Sequence, residues 1–168
     1  MAVQAIEEKL RRIIGNFQAC DTSQVSGTVH IIVELTPSPE VRGRNGLLQL
    51  THYVGPYGGS KGRITPLEKG LIGRCARTGK TEVVNFSDVD EYRRRMVEEF
   101  GYSNAEAEGH TTVARSYMAE PLALGGEVVG VIYFFSPEPQ VFPHAARDSN
   151  LSSSAQDLVD LLKTASIV

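Results

Sequence analysis

The sequence predicts an α+β fold: one antiparallel platform of strands sandwiched by helices. Three observations carry that expectation. Val29, Ile31, Val33 and Leu35 alternate with Thr28, His30, Ile32 and Glu34, the period of a half-buried strand. Gly125-Gly126 separates two apolar runs, a strong two-residue hairpin signal. Amphipathic helical spacing marks both ends of the chain.

The first helix is expected over residues 2–18. Val3, Ile6, Leu10, Ile13 and Phe17 recur at gaps of three and four, with charged residues between them. After the strand at 28–35, Pro37 and Pro39 stop the run, 41–46 reads as a polar turn, and 47–54 as the antiparallel return strand. A glycine-rich loop follows, carrying Tyr57, Lys61 and Arg63. Thr65-Pro66-Leu67-Glu68 then predicts a helix start, with Thr as cap, Pro at the first helical position and Glu three residues after the cap. Leu67, Leu71, Ile72 and Cys75 would form its apolar face, and Gly79 suits a left-handed end.

Residues 82–84 read as a short strand and 88–100 as a charged surface helix. The run 101–112 is polar and poorly patterned. Strands are expected at 115–124 and 127–135, with a bulge or an unpaired position at Pro121. The second strand is apolar on both faces and should be central. A proline-rich turn leads to a closing helix over 149–165, with Leu151, Ala155, Leu158, Leu162 and Ala165 on one stripe.

The bulk numbers narrow the function. A length of 168 residues suits a single domain, 1–168. With 41% hydrophobic and 22% charged residues, wholesale disorder is excluded. A net charge of -3 gives no basic excess for a nucleic-acid backbone, so no nucleic-acid partner is expected. No apolar run approaches the roughly 20 residues needed to cross a bilayer, so no membrane partner is expected either. Two cysteines, Cys20 and Cys75, are too few for a disulfide framework, and with no signal-peptide pattern at the N-terminus the expected compartment is cytoplasmic.

Gly79-Lys80-Thr81 ends like a phosphate loop. The motif needs a glycine five positions before Gly79, where Arg74 stands, and the segment ends a helix instead of beginning one. His30, His52, His110 and His144 show no paired metal spacing, although His30 and His52 fall on adjacent strands.

A further set of short marks runs in order along the chain: Gly70-Leu71-Ile72-Gly73, Thr78-Gly79-Lys80-Thr81, Val83-Val84-Asn85, Arg115-Ser116-Tyr117-Met118 into Glu120-Pro121-Leu122, and Gly130-Val131-Ile132 with Ser136. Together, in that order and spacing, they resemble the GAF domain family. The resemblance implies a PAS-like central antiparallel sheet of about six strands, with the terminal helices on one face and a pocket shaped by the middle helices and loops on the other. It also implies a small-molecule sensor or a dimerising signal module, and names neither a ligand nor a cofactor.

Phe86-Ser87-Asp88-Val89-Asp90-Glu91 matches half of a cyclic-nucleotide signature known in such domains, but it stands before the hairpin instead of after its apolar strand. It reads better as an acid-rich helix start. Some members reduce free methionine sulfoxide with several thiols gathered in the pocket; Cys20 and Cys75 do not match that arrangement, and Cys75 reads as a small core residue. Residues 102–113 hold no cysteine for bilin attachment.

The candidate pocket residues combine polar tips with aromatic walls: Tyr53, Tyr92, Arg95, Arg115, Tyr117 and Tyr133, with His110 in the flanking loop. Arg115 offers a fork of donors for an anion, against which stands an ion pair with Glu120 or Glu127. The terminal helices show heptad-like spacing over about two repeats, short of a coiled coil, and a homodimer through their exposed remainders is expected. The alternative function is a ligand-free interaction module with a collapsed pocket; a reductase-type enzyme is a third reading.

Overall fold

The computed structural model describes residues 2–17, 22–35, 45–59, 61–110, 114–142 and 149–168. In chain order the elements are α1 (Ala2–Gly15), a 3-10 turn (Thr22–Gln24), β1 (Ser26–Glu34), β2 (Asn45–Gln49), β3 (Ile64–Pro66), α2 (Gly70–Thr78), β4 (Glu82–Asn85), α3 (Val89–Glu98), α4 (Asn104–Gly109), β5 (Ser116–Leu124), β6 (Glu127–Ser136) and α5 (Ser149–Thr164). The strands form one six-stranded sheet in the order β3-β2-β1-β6-β5-β4. Every pairing is antiparallel.

Strand β6 is central, between β1 and β5. Its alternation supplies two cores. Ile132 and Phe134 face α1 and α5, joining Ile6, Leu10, Ile13, Leu158 and Leu162. Val131, Tyr133 and Phe135 face the other side, where α2, α3 and α4 bring Leu71, Ile72, Cys75, Tyr92, Met96 and Ala107. Burial of each large apolar side chain contributes about 1.5–3 kcal/mol, so both layers hold the sheet. Gly125 and Gly126 turn the β5–β6 hairpin with φ of 61° and 90°, the paired positive values a two-residue turn of this hand requires.

Several expectations are corrected. Thr65 caps no helix: Ile64–Pro66 is the edge strand β3, pairing Gly46 with Pro66 and Leu47 with Thr65. Proline is tolerated there because an edge strand needs no donor on its outer side. Helix α2 starts only at Gly70, behind Lys69, which provides no side-chain cap. Its first residue has φ 73°, a conformation glycine adopts freely, and Gly79 ends it in the left-handed region as expected.

The return strand ends at Gln49 instead of residue 54. Leu50 N donates to Val29 O, and Val29 N then donates to Thr51 Oγ1 at 3.0 Å, so a hydroxyl replaces a ladder carbonyl. The chain rejoins the sheet at a single bridge between Gly27 and Val54. Strand β1 is buried from Ser26 to Ile31 and not half-buried, because both sheet faces are covered.

The run 101–112 holds a helix. Ser103 and Glu106 form a reciprocal capping box that starts α4, while residues 111 and 112 lie outside the described residues. Helix α3 is less of a surface helix than its charges suggest, since Tyr92 and Met96 are buried beneath it. The acid-rich start expected at residues 86–91 is present: Asp88 caps α3 and accepts from Glu91 N. The hairpin irregularity falls at Leu122 and Ala123, one residue beyond Pro121, which keeps its pairing with Val131. Cys20, the turn at 41–44, Pro143 and His144 lie outside the described residues, and the N-terminal helix, expected to reach residue 18, ends at Gly15.

Candidate functional site

On the face opposite the terminal helices, the sheet, α2, α3 and the segments flanking α4 enclose a cavity of about 260 Å³. Its floor comes from side chains that strand alternation turns to this face: His30 of β1, Gln49 of β2, Tyr133 and Phe135 of β6, and Tyr117 of β5. Helices α2 and α3 and the residues after α3 add Leu71, Ile72, Tyr92, Met96, Phe100 and Tyr102. The glycine-rich loop contributes Tyr53 and Arg63, and His110 closes the end of α4.

The aromatic lining is ordered. Tyr92 stacks near Tyr117 with centroids 5.9 Å apart and planes at 24°, and Tyr117 near Tyr133 at 6.0 Å and 26°. The three rings make one nearly parallel row. Tyr92 Oη and His110 Nδ1 are 3.3 Å apart, so that hydroxyl is tied to the loop. Burial, first of all, raises the phenol pKa of Tyr53, Tyr92, Tyr102 and Tyr133 above the ordinary value. These groups stay protonated and offer O–H donors.

His30 is the most informative residue. It is 4% exposed, and neither ring nitrogen has a hydrogen-bond partner among the described residues. Burial, with a smaller contribution from the Arg63 charge, lowers its pKa to about 3. The ring is therefore neutral at physiological pH, with one donor and one acceptor. A buried polar group left without partners costs about 1–3 kcal/mol, and here it lines an open space.

Of the candidates read from sequence, Tyr53, Tyr92, His110, Tyr117 and Tyr133 line this one cavity. Arg95 and Arg115 do not. Arg95 binds Glu99 through Nε at 2.6 Å and lies over the Phe86 ring at 5.2 Å. Arg115 donates to Ser87 O at 2.6 Å, a carbonyl in place of the expected Glu120 or Glu127. His52 does not meet His30: it is exposed, and its backbone N–H donates to Glu7 of α1.

Sequence reasoning missed His30, Gln49, Arg63 and Tyr102 as lining residues. For His30 a signal existed, since it shares a strand face with Thr28, and the polar face of a strand beside the central one must look into a covered layer.

Cys75 is fully buried on α2 and is not among the lining residues. Burial, then the charges of Glu120 and Glu82, push its thiol pKa up. No carboxylate lines the cavity among the described residues, nor does any group of three His, Cys, Asp or Glu among them suit a metal ion. No helix among the described residues is long and apolar enough to cross a membrane.

A six-stranded antiparallel sheet with the terminal helices packed on one face and a cavity on the other defines an α+β fold of GAF type. The GAF domain family model matches residues 4–162, and the chain belongs to that family. Solved structures agree on the fold. The GAF domain of a two-component sensor histidine kinase from Bacillus halodurans is 14% identical with a TM-score of 0.61, covering 98% of this chain and 96% of that one. The type II free methionine-R-sulfoxide reductase from Thermoplasma acidophilum is 15% identical with a TM-score of 0.60, covering 96% and 95%. The GAF domain of the Acinetobacter phosphoenolpyruvate-protein phosphotransferase is 17% identical with a TM-score of 0.54, covering 96% and 94%. No curated protein matches the chain.

Proposed function

We propose that residues 1–168 act as one GAF module that senses a small molecule in the cavity above β1, β6 and β5. The observation that carries this reading is His30: a neutral, unpartnered imidazole buried at the floor of an aromatic chamber. A guest that hydrogen-bonds to His30 relieves the cost of leaving it unpaired. Tyr53, Tyr92, His110, Tyr117 and Tyr133 supply walls and further polar tips. The volume lies just below the ~300–1,000 Å³ of drug-sized ligand sites, which suits a guest about the size of one substituted ring.

A route from guest to output exists in β1. His30 faces the cavity while its neighbours Val29 and Ile31 belong to the core shared with α1 and α5. A ligand acts along this route only if it binds two arrangements with different affinity. The homodimer through the terminal helices has narrower support. Their apolar stripes are consumed against the sheet, so contact between copies would rest on polar residues such as Glu8, Arg11, Gln156 and Asp160. Light scattering with and without ligand tests it, and a monomer at every concentration removes the helix relay.

The interaction-module alternative requires a filled pocket, and the open volume argues against it. The similarity to a methionine sulfoxide reductase supports a shared fold alone, and Cys75 is fully buried and not among the residues that line the cavity. Thermal unfolding in the presence of fractionated small-molecule extracts tests the main reading. Stabilisation follows RT ln(1 + [L]/Kd), about 2.7 kcal/mol at a hundredfold excess over Kd. An active fraction should raise the midpoint of the native chain and leave a His30→Leu variant unmoved. A chain that no fraction stabilises speaks against a ligand sensor.

A further inference from the structure

The charge of the cavity narrows the chemistry of its guest. Arg63 is the one formally charged side chain among the described lining residues, which include no Asp, Glu or Lys. Two other cations of this half of the chain are paired: Lys69 with Glu106, and Arg74 with Glu82 at 2.7 Å. Arg63 has no acidic partner among the described residues. It is exposed, and thus stands at the rim. Its charge acts on His30, Tyr53, Tyr102 and His110, so the guanidinium lies within electrostatic reach of both the floor and the opposite lip.

From the floor residues Tyr117 and Tyr133 up to Tyr92 runs a row of three nearly parallel rings, all lining the cavity. A planar ring matches such a surface by offset stacking. At the floor, the neutral His30 ring carries one donor and one acceptor, both buried and without partners among the described residues.

We propose that the guest is a small aromatic carboxylate, its acid group on the Arg63 guanidinium, its ring along the tyrosine row and a neutral polar substituent at His30. The proposal rests on the reading of this cavity as a ligand site. A guanidinium takes a carboxylate through two parallel N–H bonds, geometry that an uncharged amide does not reproduce. An amino acid fits less well, because no described lining carboxylate stands ready for its ammonium group.

Calorimetric titration with 4-hydroxybenzoate, 4-hydroxybenzamide and L-tyrosine tests this on the full chain. The acid should bind at least tenfold tighter than either of the others. Arg63→Gln should bring the acid down to the level of the amide, while Arg63→Lys keeps part of the preference; circular dichroism of both variants verifies their folds. Amide or tyrosine binding equal to that of the acid, or a preference unchanged in Arg63→Gln, overturns the proposal and leaves the ligand site standing. If none of the three probes binds while native mass spectrometry shows another retained small molecule, the carboxylate assignment alone fails. If nothing binds by either method, both readings fail.

Discussion

The imidazole of His30 meets the ring of Tyr133 edge-on, with centroids 6.2 Å apart and planes at 79°. The two residues come from adjacent strands, where Thr28 pairs with Tyr133 and His30 with Val131. The imidazole thus gains an aromatic contact while both its nitrogens stay without partners among the described residues. On the proposed sensor reading, a guest that bonds these nitrogens relieves the cost of leaving them unpaired.

Replacing His30 by Leu, of similar size, should raise the stability of the ligand-free chain by about 1 kcal/mol at pH 7, because an unsatisfied buried polar group is removed. Urea unfolding of both proteins measures it. A loss of stability would mean that the imidazole has partners in solution.

Stability should fall as the solution is acidified, and the sign follows from His30. Its folded pKa, about 3, lies below the ordinary 6.5, so the unfolded chain binds the proton first. Stability is full above pH 6.5 and declines as pH falls toward 3. From pH 7 to pH 5 the expected loss is about 2 kcal/mol. His110, also lowered by burial, adds in the same direction. The carboxylates held low, such as Glu106 and Glu99, contribute mainly below pH 5, while Glu120, raised by burial, acts in the opposite direction to the histidines. Urea midpoints at pH 7 and 5 should lie closer together in His30→Leu than in the native chain.

Asn85 joins three segments. Its Oδ1 accepts from Ser116 Oγ at 2.7 Å and from Gln140 N at 3.0 Å, tying the end of β4 to β5 and to the turn after β6. Asn85→Ala should cost about 2 kcal/mol, two hydrogen bonds at about 1 kcal/mol each. Asn85→Asp keeps the acceptor and should cost less. Denaturant midpoints rank the two, and the reverse order would remove this role.

Cys75 should resist alkylation in the native chain at pH 8. Burial keeps the thiol protonated and out of reach, and only the thiolate reacts. Peptide mapping after iodoacetamide should find Cys75 unlabelled before unfolding and labelled after it. Rapid native labelling would revive the reductase reading.

The fold was largely legible because its signals are local and redundant. The Gly125-Gly126 turn, the doubly apolar β6 and the terminal stripes each point to one arrangement. The errors arose where tertiary pairing overrode a local pattern. Thr65-Pro66-Leu67-Glu68 has the residues of a helix start, yet the open edge of β2 takes Ile64–Pro66 as a strand. Ser103 and Glu106 carried a capping signature inside a run too polar to announce a helix.

The lining of the candidate cavity was legible through its aromatic residues and less so through its polar ones. Tyrosines on apolar strands point to a covered face, and five candidates reached one cavity. Arg95 and Arg115 look equally suited by type, but nearby acceptors on α3 and at Ser87 hold them outside. Arg63 sits in a glycine-rich loop, where no periodicity tells a rim residue from a solvated one.

Native mass spectrometry of the purified chain and of His30→Leu, run side by side under gentle desolvation, tests the central claim most directly. The native chain should carry a small molecule in a one-to-one complex, reduced at least tenfold in the variant. A native chain that never gains mass, or a variant that retains the same molecule equally well, would contradict the account.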